Sequence, residues 1–172
     1  NISARQFELA DLDRRIEQVL KETGLSALHL ECEITEGTLM QHPEQSLQLM
    51  QRLREMGIHL ALDDFGTGYS SLAYLKRFPL NTLKIDKAFI DEIATSSVDR
   101  HMTSAIITIA HNLGLKVVAE GVEEEQQLSI LRRYECEMLQ GYLYSKPLSA
   151  ERFTRLLIEN RHLSKLIKQQ NL

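Results

Sequence analysis

The sequence predicts an α/β fold: a parallel (β/α)8 barrel of which these 172 residues supply an incomplete run, from about strand 4 to helix 8 with the preceding helix. Three observations predict it. Short apolar strands alternate with amphipathic helices and no hairpin signal joins two strands, so the sheet should be parallel. Five strand–helix units plus a leading helix make about 5.5 units, at the roughly 31 residues that each of eight barrel units needs. Successive strands end in acids, and in a barrel all strand ends open on one mouth. The rival, a doubly wound open sheet, carries a Gly-rich phosphate turn after its first strand. No G-x-G-x-x-G and no P-loop occurs, and Gly66-Thr67-Gly68 is too short to be either.

Asn1-Ile2-Ser3 reads as the end of an element already under way. Leu12, Ile16, Val19 and Leu20 repeat at helical spacing, with Gly24 as the C-terminal stop. Leu28, Leu30 and Cys32 alternate into Glu33 as a strand. After Pro43, the residues Leu47, Met50, Leu53 and Met56 form an amphipathic helix that stops at Gly57. Ile58, Leu60 and Leu62 alternate into Asp63-Asp64. Leu72 to Leu75 is a short helix, and Leu83-Lys84-Ile85-Asp86 a short strand. Ser97 caps a helix through Ile106, Ile109 and Leu113 to Gly114. Lys116 to Glu120 is a buried-type strand. Glu124, Glu125, Leu128 and Leu131 form a helix with acids in its first turn, where the dipole favours them. Met138 to Tyr142 is the last strand. From Ala150, the residues Phe153, Leu156, Leu157, Leu163 and Leu166 line a final helix, and residues 168–172 form a frayed polar tail.

Length allows one well-cored domain, so residues 1–172 read as the C-terminal two-thirds of a single domain. The chain is 43% hydrophobic and 26% charged, ordinary for a globular protein. No run reaches the ~18 apolar residues of a membrane span. There is no leader-like segment, and Asn1 in place of Met reads as a cut, an engineered boundary or the first ordered residue of a longer parent. Cys32 and Cys136 sit in apolar, strand-like surroundings and read as reduced core thiols of a cytoplasmic protein. The net charge is −4 with no basic stripe, which argues against nucleic-acid binding. A phosphate substrate stays open if metal ions bring the positive charge.

Taken alone, Asp63-Asp64 before Gly66 and Gly68 is ordinary turn chemistry. Across the chain, however, strand ends carry Glu33, Asp63 with Asp64, Asp86 preceded by Lys84, Glu120 and then Gln140. A common mouth lined with carboxylates repels itself unless it binds cations. Oxygen donors without histidine or cysteine favour Mg²⁺ or Mn²⁺ over Zn²⁺. The six histidines show no metal-binding spacing and read as packing or surface residues. Asp63 and Asp64 together suit two ions that share a carboxylate, the arrangement of two-metal phosphodiester hydrolysis. Lys84 adds a fixed positive charge. Serine or threonine nucleophiles lack a His–Asp relay.

Glu33-Ile34-Thr35-Glu36, Asp63-Asp64-Phe65-Gly66-Thr67-Gly68, Leu83-Lys84-Ile85-Asp86, Ala119-Glu120-Gly121-Val122-Glu123 and Gln140-Gly141-Tyr142 together resemble the EAL domain. That family comprises bacterial phosphodiesterases acting on the second messenger cyclic di-GMP. The likeness runs from Asn1 to about Leu157 and implies a TIM-like barrel of the EAL type. It implies that Asn1, Glu33 and Asp63 hold one Mg²⁺ or Mn²⁺ and that Asp63, Asp64 and Glu120 hold a second. Glu120 would also be the general base, and Lys84 would hold the attacking water. Glu36 and Glu123 would brace the Gly66–Ser71 loop, which in the family borders a homodimer interface. Gln140 and Pro147 would lie beside the guanine nucleotide, with Asp86 on the same substrate side. The Glu-Ala-Leu tripeptide that names the family is absent, and with it one acidic ligand and a phosphate-binding arginine. The motifs that are present carry no degenerate substitution, so the intact parent, fused in this family to sensory or GGDEF domains, is expected to be a working enzyme.

Two other readings compete. A non-catalytic EAL-like module would bind the nucleotide or a partner protein, but such modules lose acids at strand ends. A different Mg²⁺ barrel of the enolase type also uses carboxylates and lysine, but does not call for adjacent Asp63 and Asp64 before a Gly-rich loop. The 172 residues alone are expected to lack activity and to associate through open strand edges. The apolar inner faces of Ile58–Leu62 and Val117–Ala119 are expected to be exposed.

Overall fold

The computed structural model describes residues 1–9, 11–66 and 72–159. Helix α1 (Ala4–Phe7) is capped by Ser3, and α2 (Leu12–Thr23) ends on Gly24 in the left-handed region, φ 69°. Strand β1 is Glu31–Thr35, followed by α3 (Glu36–Gln41) and α4 (Pro43–Glu55). Next come β2 (His59–Phe65), α5 (Leu72–Leu75), β3 (Thr82–Ile85) and α6 (Lys87–Asp91). Then follow α7 (Ser97–Asn112), β4 (Lys116–Ala119), α8 (Glu125–Arg133), β5 (Met138–Leu139) and α9 (Ala150–Glu159).

The five strands form one sheet in the order β1-β2-β3-β4-β5, every pair parallel. Sequence order equals spatial order, with no reversal point. A doubly wound sheet reverses its strand order, so the architecture is a run of a barrel. Ile2 adds a parallel bridge to Ile34 on the far side of β1.

The pairing register separates two faces. Cys32, Ile34, Leu60, Leu62, Leu83, Ile85, Val117 and Ala119 are all buried on the face that packs under the helices. The opposite face carries Glu31, Glu33, Asp63, Thr82, Lys84 and Lys116. This corrects the expectation for the apolar residues of β2 and β4. Ile58, Leu60, Val117 and Ala119 are fully buried, because the alternation points them at α4 and α7, and the inner face is the polar one.

Several boundaries differ from the sequence reading. Leu28 lies in a 3-10 turn (Ala27–His29) and is 66% exposed, so the alternating Leu28, Leu30 and Cys32 do not form one strand. Ser96, not Ser97, caps α7, its hydroxyl accepting from the Asp99 N–H. Strand β5 holds two residues, and the pairing continues past it as separate bonds from Gln140 N–H to Ala119 O, Val122 N–H to Gln140 O and Leu143 N–H to Val122 O. Leu163, Leu166, the tail 168–172 and loop residues 67–71 lie outside the described residues.

Candidate active site

Adjacent residues of a regular strand point to opposite faces. Asp63 and Asp64 escape that rule through a bulge. Leu62 pairs with Leu83 and Phe65 with Ile85, so two residues of β2 oppose Lys84 alone on β3. Asp64 takes the extra place with φ 56°, a left-handed conformation uncommon for a residue with a side chain but tolerated best by Asp and Asn. Phe65 thereby returns to the helix-facing side, where it is buried. Carboxylate oxygens of Asp63, Asp64 and Glu120 lie within 4.8 Å of one another. Asp86, which caps α6 through a 2.7 Å bond from the Ala88 N–H, stands close enough to Asp64 for its charge to bear on that carboxyl. Burial, followed by the charges of Asp63 and Asp86, holds the Asp64 carboxyl above the usual aspartate range.

Lys84 is the centre of this mouth. Its side chain is 6% exposed, and its Nζ lies 2.9 Å from Glu33 Oε1, 3.1 Å from Asp63 Oδ1 and 2.8 Å from Glu120 Oε1. Burial works against the ammonium, but the bonds it donates to Glu120, Glu33 and Asp63 together win and hold its pKa above that of an ordinary lysine. Lys84 is therefore a permanent cation shared by three strands.

The remaining predicted residues fall around this centre. Ile2 N–H donates to Glu33 O, which sets exposed Asn1 level with Glu33. Glu36 opens α3, is buried, and accepts from the Gly66 N–H at 3.4 Å through Oε2. Its Oε1 has no hydrogen-bond partner among the described residues. Glu123 accepts from Lys87 Nζ at 2.6 Å. Gln140 and Pro147 share with Glu120, Gly121, Tyr142 and Lys87 the wall of an open cleft of about 400 Å³. Lys87 is absent from the sequence-derived set. Its one signal was position, three residues after Lys84 at the start of a helix that follows a strand.

The donor set fits hard divalent cations. Asp63, Asp64 and Glu120 converge through carboxylate oxygens alone, and the buried Asp63 Oδ1 also lies 3.1 Å from Lys84 Nζ. Glu33 joins the group through Lys84.

A sequentially ordered run of parallel strands whose carboxyl ends gather acids around one buried lysine places the chain in the (β/α)8 class. Within that class the assignment is direct: the family model for the EAL domain matches residues 1–147, and the chain belongs to that family. The cyclic di-GMP phosphodiesterase NbdA of Pseudomonas aeruginosa is 51% identical over 148 residues, covering 86% of this chain and 19% of NbdA. MucR of the same organism, a bifunctional diguanylate cyclase/cyclic di-GMP phosphodiesterase, is 46% identical over 88% of this chain and 22% of its own length. A solved MucR phosphodiesterase in complex with cyclic di-GMP superposes with a TM-score of 0.86 at 46% identity, covering 89% of this chain and 62% of that one. BlrP1 of Klebsiella pneumoniae, solved with manganese and cyclic di-GMP, superposes with a TM-score of 0.76 at 30% identity over 83% of this chain and 36% of its own. The chain thus spans about a fifth of the length of these curated relatives. No described helix is long and apolar enough to cross a membrane.

Proposed function

We propose that this chain carries the greater part of the active site of a phosphodiesterase that opens cyclic di-GMP to the linear dinucleotide pGpG. The observation that carries the reading is the β2 bulge, which turns Asp63 and Asp64 together toward Glu120 with Lys84 between the strands. Asn1, Glu33 and Asp63 would hold one Mg²⁺ or Mn²⁺, and Asp63, Asp64 and Glu120 a second. Such ions supply positive charge to the phosphodiester and acidify water. Glu120 Oε1 takes a proton from the attacking water, and that proton returns to the departing ribose oxygen as the P–O bond breaks. Lys84 orients Glu120, its Nζ donating to Glu120 Oε1 at 2.8 Å. Gln140 offers both a donor and an acceptor beside Pro147, which suits the edge of a guanine. Homodimerisation and fusion to sensory or GGDEF domains belong to the same reading of the parent.

The test is hydrolysis of cyclic di-GMP by the full protein carrying this chain, followed by chromatography of pGpG. Turnover is expected with Mg²⁺ or Mn²⁺, none after chelation, and inhibition by Ca²⁺, whose looser shell positions water poorly. Glu120→Gln is expected to lower kcat by at least ~10². Lys84→Ala should lower kcat more than it weakens nucleotide binding. Full activity after exhaustive chelation, or wild-type turnover in Glu120→Gln, would overturn the assignment.

A further inference from the structure

We infer that Lys87 and Glu123 form a clamp that positions Glu120, an inference that rests on the role proposed above for Glu120. Beyond β4 the chain leaves the ladder, and Glu120 to Glu123 must be held by other means. Glu120 N–H donates to Ile85 O and Val122 N–H to Gln140 O. Between these two anchors lies Gly121, with φ 70° and no side chain. The Lys87 stem occupies the place that a β-carbon at Gly121 would fill. Its ammonium then reaches Glu123 Oε1 at 2.6 Å, with Asp91 3.7 Å away on the next turn of α6. Glu123 is fixed from the other side, its N–H donating to Gln127 Oε1 at 2.8 Å.

A half-exposed ion pair contributes little stability in general. This one is distinguished by what it closes over. Lys84 holds the carboxylate of Glu120 from the sheet, and Lys87, three residues on, straps the backbone immediately behind it. Both Lys87 and Glu123 form wall of the cleft that runs from Glu120 to Gln140 and Pro147. Loss of the strap frees Gly121, whose backbone has more accessible conformations than any other residue's. Glu120 then samples positions away from its partners, and small displacements of a reacting group are expensive in rate. Lys87 and Glu123 are positioning residues and touch no reacting atom.

The experiment compares Lys87→Met, Glu123→Gln, the double variant and Lys87→Arg in the full protein. Steady-state hydrolysis of cyclic di-GMP, calorimetric Mn²⁺ titration and thermal melting are the readouts. Each single variant should lose about tenfold in kcat with KM within about twofold of wild type. The double variant should lose no more than either single, because both remove the same strap. Lys87→Arg should retain most of the rate, and melting should move little in all four. Mn²⁺ affinity should fall in step with kcat, a readout that stands even without hydrolysis. Wild-type kcat and Mn²⁺ affinity in both singles would overturn the inference. So would additive losses, or a raised KM at unchanged kcat, which would make Lys87 a substrate contact instead. A wild type that binds Mn²⁺ but never hydrolyses the nucleotide would count against the function, leaving the Mn²⁺ comparison to decide the clamp.

Discussion

Asp64 combines two unfavourable features at one position, a left-handed backbone and a carboxyl facing other carboxyls. Its folded pKa lies above the unfolded one, so its contribution to stability is full below the unfolded value and is lost as pH rises through the folded value. At neutral pH the ionised side chain therefore works against the fold. Asp64→Asn keeps the shape and the tolerance for positive φ while removing the charge. In chelator at pH 7 the variant should melt about 2 °C above wild type, and the gap should close near pH 3.5. Mn²⁺ should raise the wild type more than the variant. Melting at or below wild type at pH 7 in chelator would mean that the surrounding acids do not oppose Asp64. The strain at such a position is what a cation-binding pair demands, since only the bulge brings two successive carboxylates to one side.

At the level of elements, Glu36 joins the start of α3 to the end of β2 through Gly66. Glu36→Ala should lower hydrolysis severalfold while the melting temperature moves by only about 2 °C. The small stability effect follows from the half-satisfied carboxylate. Removing a buried oxygen that has no partner relieves a desolvation cost that offsets the long bond to Gly66. A large fall in melting temperature with Mn²⁺ affinity intact would make Glu36 an ordinary structural residue. Elements of this kind were unevenly legible in the sequence. Strands β2 and β4 announce themselves by apolar runs ending in acids. Helices α3 and α6 span six and five residues, less than two turns, and leave no periodic signal. The bulge has no local signature beyond two polar residues in succession, because it is defined by the register of β3 against β2. Residue chemistry was readable where several strands repeat it, as with Glu33, Asp63, Lys84 and Glu120. That one lysine touches all three acids is a tertiary fact. Lys87 escaped notice because its partner, Glu123, lies on a different unit.

Across the whole molecule, large apolar residues stand exposed along the chain: Val19, Leu25 and Leu28 before β1, Leu72, Val98 and Met102 between β2 and β4, and Phe153, Leu157 and Ile158 on α9, with Ile158 at 79% exposure. Exposed apolar patches of this kind recruit protein surface. The 172-residue chain expressed alone should elute larger than its 19.8 kDa monomer in light-scattering chromatography and should hydrolyse cyclic di-GMP far more slowly than the full protein. A monodisperse monomer with undiminished turnover would refute both expectations. The strand order has a consequence for how the molecule comes into being. Among the described residues, β1 to β5 each pair with their neighbour in chain order, roughly 20–34 positions away. During synthesis, N-terminal segments emerge first, so each new unit meets an edge already waiting for it. The domain can thus be laid down like courses of brick, and a pause between units leaves a shorter wall with one ready edge.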